Sequence, residues 1–485
     1  MTTQVAKPLR LPPRLVSAPW FFPAALLAAA GFVGLLVALL LLRDERLALL
    51  LAAVPLAALA VRYPRAACCV FVVLFPLTVG IPRSRFGIPG LRLGEVLLLL
   101  ACAAVVMHAL LQRPWRLMFD EIDVAMLFIV LTGTIVPLLL MQARGQELTA
   151  DAVNIFLGPL KYYLIYRLIR AVVQSREHVH PIIRAWFIAS TVVALVAIGE
   201  SLDFPGVRDF LHDNYMSEST KLYITQSWRN PVLYRATSVF DGSWNTLGSY
   251  SSFTIILAVY YGQTQQRISM LWLTPIIMLN SVALAISGNF ASIAGLLGSL
   301  IAATIFLRRV PRGMVPIIIS VALASVVFSS FFQARISQQF NNTTGDVVLA
   351  STFTDRIQLW VDQFLPVLEG QYLLGIGPEL PPEVWWSTEE SQYLFLLFKG
   401  GILYLLSYLL WIVLGVRVAI RAIRTPDLLA RMLGYTALCM LLALVYMGIS
   451  NAYATYTASI TALWIVLALA STAGLWAQPV AGKQD

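Results

Sequence analysis

Apolar runs of about 20 residues recur along this chain, each long enough to cross roughly 30 Å of hydrocarbon. Nothing else in the sequence constrains the fold as much. A backbone in lipid must satisfy its own N–H and C=O groups, and an isolated run does so only as a helix. With 485 residues, 59% of them hydrophobic and 12% charged, the mean hydropathy is +0.78, too apolar for a soluble globule. The expected fold class is all-α. It is a polytopic integral membrane protein of about 14 transmembrane helices (roughly 12–14), with two larger outer-face loops containing short amphipathic helices.

The runs lie near 20–42, 46–62, 66–80, 94–111, 122–141, 155–173, 182–200, 245–262, 268–286, 290–307, 313–331, 392–417, 432–450 and 453–475. The first follows a basic start (Lys7, Arg10, Arg14) but is too long for a secretory signal and is kept as a helix. Cys68, Cys69, Cys102 and Cys439 all lie inside apolar runs without metal-like spacing, so they read as small hydrophobes. Arginines collect in alternate loops (Arg62/Arg65, Arg113/Arg116, Arg176/Arg184, Arg308/Arg309/Arg312, Arg417 to Arg431), which makes those loops cytoplasmic and both termini internal. Arg43 and Arg46 break the pattern. The net charge of +9 thus sets topology and does not imply nucleic acid.

The chain divides into an N-terminal transmembrane bundle (1–200), a first outer loop (201–244), central transmembrane helices (245–331), a large outer loop (332–391) and C-terminal transmembrane helices (392–485). Loops of such length tend to be functional. Ile357, Trp360, Val361, Phe364 and Val367 stand close to helical spacing, which predicts an amphipathic helix in the second loop.

Four polar sets lie toward the outer side. Arg83, Arg85 and Arg92 sit in an outer loop, where they either recognise a ligand phosphate or snorkel to lipid. Lys161, with Tyr162 and Tyr163, lies inside the sixth run, where it either faces the bundle interior in a functional role or anchors at the interface. Arg167 and Arg170, nearer the cytoplasmic end, read as topology anchors. Arg235 and Asn245 frame a turn-rich approach with Asp241-Gly242. In the last set, Arg356 is a forked donor suited to phosphate, or else pairs with Asp355 or Asp362. Glu389 and Glu390 are either a general base or acids at a helix N-terminus that Ser391 caps. Trp360, Trp385 and Trp386 either stack on sugar faces or anchor at the interface.

In order, the chain carries Arg235-x4-Phe240-x4-Asn245-x2-Gly248, a Ser287-Gly288 break, Asp355-Arg356-x3-Trp360, Gly375-x-Gly377, and a polar pair before Tyr393-Leu-x-Leu-Leu-x-x-Gly-Gly-Ile402. This order resembles the bacterial O-antigen ligase and Wzy-type polysaccharide polymerase superfamily, over roughly residues 80–450. The resemblance implies a membrane glycosyltransferase of the GT-C type. Such an enzyme acts at the outer (periplasmic) face of the bacterial cytoplasmic membrane on sugars carried by undecaprenyl diphosphate, which makes 332–391 the catalytic loop. O-antigen ligases have a histidine where this chain has Glu389-Glu390-Ser391, which turns the reading toward a polymerase. Relatives often have an arginine after the serine of the Ser-Gly break, where this chain has Asn289 after Gly288.

The expected function is polymerisation of undecaprenyl-diphosphate-linked repeat units. The alternatives are ligation to lipid A core or another acceptor, and transport of a lipid-linked sugar, although no fixed-period repeat supports a transporter. Arg356 with Glu389 or Glu390 is the expected catalytic set, and Arg235, Arg356, Lys161, Arg83, Arg85 and Arg92 are the expected diphosphate ligands. Asn245, Trp360, Trp385, Trp386 and Tyr393 are expected on the sugar. Expected partners are a lipid-linked donor and acceptor, membrane lipid and a chain-length regulator, with no nucleic acid. No cofactor is expected, and the sequence requires no divalent metal.

Overall fold

A computed structural model describes residues 62–82, 92–112, 119–145, 150–218, 220–221, 234–264, 267–308, 310–311, 313–340, 351–377, 390–455 and 457–476. All the regular structure among them is helical. The long helices are α1 (Pro64–Thr78), α2 (Leu93–Gln112), α3 (Glu121–Ala143, with a π-turn at Leu131–Ile135), α4 (Ala150–Val172) and α5 (Val179–Ser201). The short α6 (Val207–Tyr215) precedes α7 (Trp244–Gly262), α8 (Arg267–Ile286), α9 (Phe290–Leu307), α10 (Met314–Val327) and α11 (Ser329–Phe340). Then come α12 (Ser351–Leu359, running on through a π-turn at Trp360–Phe364), α13 (Gln392–Ile423), α14 (Leu428–Met447) and α15 (Thr457–Trp476).

The protein is an α-helical membrane protein. Seven helices among the described residues are long and apolar enough to cross a membrane, or eight if bent α10–α11 is one span. Of the expected runs, 20–42 and 46–62 lie outside the described residues (but for Arg62), and every other run coincides with a helix. The run 313–331 is not straight: α10 and α11 meet at 86°. Side chains on α10 turn outward, with Val315, Ile318 and Val326 at 61%, 62% and 75% exposure, as lipid contact requires.

Hydropathy alone underrates α7. Its serines and threonines lower its mean hydropathy below that of the seven apolar spans, yet every residue from Thr246 to Gly262 is buried. It packs against α8, α9, α14 and α15, the centre of the bundle. Its polar groups are met inside: Trp186 Nε1 donates to Thr254 Oγ1 at 3.0 Å, and Ser249 and Ser459 share a hydrogen bond of 2.5 Å. Small hydroxylated residues suit such close helix–helix contact in lipid.

At one end of the bundle, charges tie the helices together. Asp120 caps α3, accepting from Ile122 N and Asp123 N. Arg170 pairs with Asp120 at 3.0 Å and Arg167 with Asp123 at 3.0 Å, so these arginines are cross-helix partners as well as residues at a helix end. Tyr166 and Ser471 donate to Asp120 as well. Burial pushes the Asp120 carboxyl up, but Arg170 and these hydrogen bonds outweigh it and hold the group below the ordinary carboxylate range. Glu121 takes Arg421 at 2.5 Å and Arg417 at 3.3 Å.

The opposite end carries α6, α11, α12 and the 371–377 turn, together called the insert. It is locked to α13 through a helix break. Gly401 has φ 69° and ψ −165°, a region closed to side-chain-bearing residues, and this frees the Phe398 carbonyl. Ile376 N and Gly377 N donate to that carbonyl at 2.7 and 3.1 Å, and Ile402 N donates to Tyr372 O at 2.8 Å. Arg144, at the end of α3, donates to Ile376 O at 2.8 Å. The Gly-Ile-Gly turn is thus a docking element. Phe364, Leu368, Ile376 and Phe398 form a small core beneath it.

Candidate functional site

Three segments of chain meet at the insert end. The first leaves α5. Glu200 is fully buried and accepts from Tyr234 Oη, from Thr237 N at 2.9 Å and Oγ1 at 3.0 Å, and from Ser238 N at 2.6 Å. Arg208 lies 4.6 Å over the Tyr234 ring and donates to the Glu200 carbonyl at 2.9 Å. Ala236 N donates to Ile286 O at 3.2 Å. The backbone on both sides of Arg235 is therefore fixed, and its guanidinium lies 4.7 Å over the Trp244 ring at the start of α7.

The second segment is the break between α8 and α9. Gly288 has φ 60°, and a Cβ there would stand 3.6 Å from Arg235 Cδ and 3.5 Å from Arg335 Nε. Two arginines from distant parts of the chain thus flank one glycine. Arg335 comes from α11, is buried, and lies 5.7 Å over the Phe290 ring. Asn289 caps α9 through Ser292 N, donates to Asn245 O at 3.3 Å, and accepts from Tyr453 Oη at 3.0 Å. Gly248 allows this closeness: a Cβ on it would come within 2.8 Å of Asn289 Cβ.

The third segment is the return of the insert to the bundle. Arg356 on α12 is ion-paired through Nε with Glu390, not with Asp355 or Asp362. Glu390 itself has φ 48°, uncommon for a residue with a side chain. Ser391 is the N-cap residue of α13 but makes no capping hydrogen bond through its side chain. Burial pushes the Tyr453 hydroxyl up, while its hydrogen bonding with Asn289 and Ser292 and the Arg356 guanidinium draw it part of the way back. The Arg356 charge therefore lies within electrostatic reach of the Tyr453 hydroxyl.

Beside this cluster a cavity of about 430 Å³ runs into the bundle. Arg92, Glu95, Lys161, Asp241, Ser243, Thr246 and Gln392 supply its polar lining, and Phe395, Tyr404, Tyr408, Trp411 and Trp464 its aromatic lining. Lys161 Nζ is paired with Glu95 at 2.5 Å. Arg92 Nη1 donates to Val79 O at 3.0 Å, and Nη2 stands 3.9 Å from Asp241. Asp241 accepts from Ser217 N at 2.9 Å, and burial pushes its carboxyl above the ordinary range.

The residues expected from the sequence therefore divide. Arg235, Arg356, Glu390 and Asn245 lie in or beside the cluster. Lys161 and Arg92 line the cavity. Trp360 packs against the small core under the insert, and Tyr393 Oη donates to Val445 O at 2.7 Å on α14. Arg83, Arg85, Trp385, Trp386 and Glu389 lie outside the described residues. Sequence reasoning missed Arg335, Glu95 and Glu200. Of these, Glu95 and Glu200 each left a signal, a carboxylate opening the run 94–111 and one closing the run 182–200. His212 neighbours Asp213 at 3.2 Å on α6. Among the described residues, no group of three or more His, Cys, Asp or Glu is placed to hold a metal ion. No protein-family model and no curated protein matches this chain.

Proposed function

We propose that the chain is a membrane glycosyltransferase that elongates a glycan carried on a polyprenyl diphosphate, acting at the face of the membrane where the insert lies. One observation carries the reading. Arg235 and Arg335 flank Gly288, Asn289 beside it accepts from Tyr453, and Arg356, paired with Glu390, lies within electrostatic reach of that tyrosine. Fixed cations beside a carboxylate match what glycosyl transfer from a diphosphate demands. Breaking the sugar C1–O bond leaves negative charge on the diphosphate, and preorganised donors stabilise that charge where water is excluded. Guanidinium forks suit phosphate oxygens better than a point charge does.

The Arg356–Glu390 pair links the two halves of the reaction. When the diphosphate draws Arg356 to itself, Glu390 is released to accept a proton. The acceptor hydroxyl then attacks C1, its proton passes to Glu390, the glycosidic bond forms, and polyprenyl diphosphate leaves on the arginines. General-base help of this kind contributes about 10²–10⁴ in rate. Arginines crowd the other end of the bundle (Arg62, Arg65, Arg176, Arg184, Arg417, Arg421, Arg424, Arg431), which supports a cytoplasmic location for that end and an outward-facing site. The resemblance to the polymerase and ligase superfamily agrees with this assignment.

A second reading, a carrier for a lipid-linked glycan, is favoured by the burial of the Lys161–Glu95 ion pair between two helices of the bundle. Purified protein in vesicles, given only undecaprenyl-diphosphate-linked repeat, separates the readings. The polymerase builds a ladder of longer lipid-linked glycans. A ladder that waits for a different acceptor makes the protein a ligase. Lipid-linked glycan that crosses the bilayer unlengthened makes it a carrier.

A further inference from the structure

We infer that the cavity beside the arginine cluster is a sugar subsite, holding the hydroxylated end of the acceptor glycan and not a prenyl chain; this rests on the glycosyl-transfer reading above. Its volume of about 430 Å³ falls in the usual range for small-molecule sites. Trp411 and Trp464 stack at 4.9 Å in its wall, and with Phe395 and Tyr404 they offer flat apolar surface to the C–H faces of a sugar ring. The Lys161–Glu95 pair and Gln392 offer donors and acceptors to its hydroxyls.

Two atoms in the wall argue against a hydrocarbon occupant. Tyr408 Oη and Trp411 Nε1 are buried without a hydrogen-bond partner among the described residues, and both residues line this cavity midway along α13. A prenyl chain leaves both donors carrying the full cost of lost hydration. A polyhydroxylated ring supplies acceptors to them. The Lys161–Glu95 charges add to the same discrimination, since hydrocarbon packed against an ion pair solvates neither charge.

The cavity also leads to the reacting groups. Ser243 and Thr246 line it on either side of Asn245, whose carbonyl holds Asn289. Gln392 lines it two residues after Glu390. A glycan seated there extends toward the carboxylate that takes the proton.

The test is titration calorimetry on the full-length protein in nanodiscs. The probe is the repeat-unit oligosaccharide released by mild acid from the lipid-linked pool of cells that make the protein. The glycan should bind, and Tyr408→Phe and Trp411→Phe should each weaken binding about 5- to 10-fold, the loss of one buried hydrogen bond. Tyr446→Phe, on the exposed surface of α14, should bind as the parent does. If Trp411→Phe does not fold, Tyr408→Phe and Glu95→Gln carry the test, with melting temperatures as the check. Binding unchanged in these variants overturns the subsite. So does absent binding in a protein that still elongates lipid-linked repeats. Binding with the expected sensitivity but no ladder overturns the transferase reading and leaves a sugar-binding cavity. Neither binding nor ladder overturns both.

Discussion

Gly401→Ala tests how the insert is held against the bundle. Gly401 sits at φ 69°, ψ −165°, where a side chain costs about 1–3 kcal/mol in backbone strain alone. Its added Cβ would meet Leu373 O at 2.2 Å and Leu374 N at 2.5 Å. Those are backbone atoms, so the 371–377 turn must lift away. Lifting it breaks the bonds of Ile376 N and Gly377 N to Phe398 O and of Ile402 N to Tyr372 O. Each is worth about 0.5–1.5 kcal/mol. Strain and lost bonds together come to about 3 kcal/mol or more, which raises the undocked population by a factor of at least about 100. The assay is the rate at which a maleimide labels Ile376→Cys, a buried position, with and without Gly401→Ala. Labelling should accelerate by about that factor. Gly298→Ala, whose Cβ meets nothing within 4 Å, should change nothing. If Gly401→Ala labels no faster than its parent, the turn is not held by the break in α13, and the account of how Arg356 reaches Glu390 fails with it.

The other predictions concern charge. Arg335→Ala should slow glycan elongation about 10²–10³-fold, with Arg335→Lys a poor rescue; normal chain length in both would remove Arg335 from the diphosphate site. Asp120 is held below the ordinary carboxylate range, so the stability it contributes is present above about pH 3.9 and lost as pH falls through its folded value. Asp120→Ala should therefore cost about 3 kcal/mol at neutral pH and progressively less as pH falls below about 3.9, read as the melting temperature across pH. Asp241 is shifted the other way, so its contribution is full below about pH 3.9 and lost as pH rises through its raised folded value. Asp241→Asn should flatten the pH dependence above pH 4, and an unchanged profile would contradict the assigned burial.

The length of the apolar runs made the helices legible, because a lipid-crossing run leaves little else to choose. The site was legible only where one residue carries its own signal. Arg235, Arg356 and Glu390 stood out as charges beside apolar spans. Partnership was not legible. Arg356 stands one residue from Asp355 and six from Asp362, yet it pairs with Glu390, 34 positions away. Lys161 finds Glu95 across 66 positions. Arg167 and Arg170 looked like anchors because Asp120 and Asp123 sit at the start of another run. Arg335 had no motif around it and becomes notable only beside Gly288. Trp360 illustrates the converse: an aromatic residue in a polar loop suggested a ligand contact, and it packs on the insert's own core.

The most direct test of the central claim is the initial rate of ladder formation by purified protein supplied with undecaprenyl-diphosphate-linked repeat alone. Arg356→Ala and Arg235→Ala should each lower that rate about 10²–10³-fold without lowering the melting temperature, Arg356→Lys should restore little, and Arg424→Ala, at the other end of the bundle, should match the parent. Full-rate ladders from both alanine variants would contradict the claim that these arginines hold the leaving diphosphate.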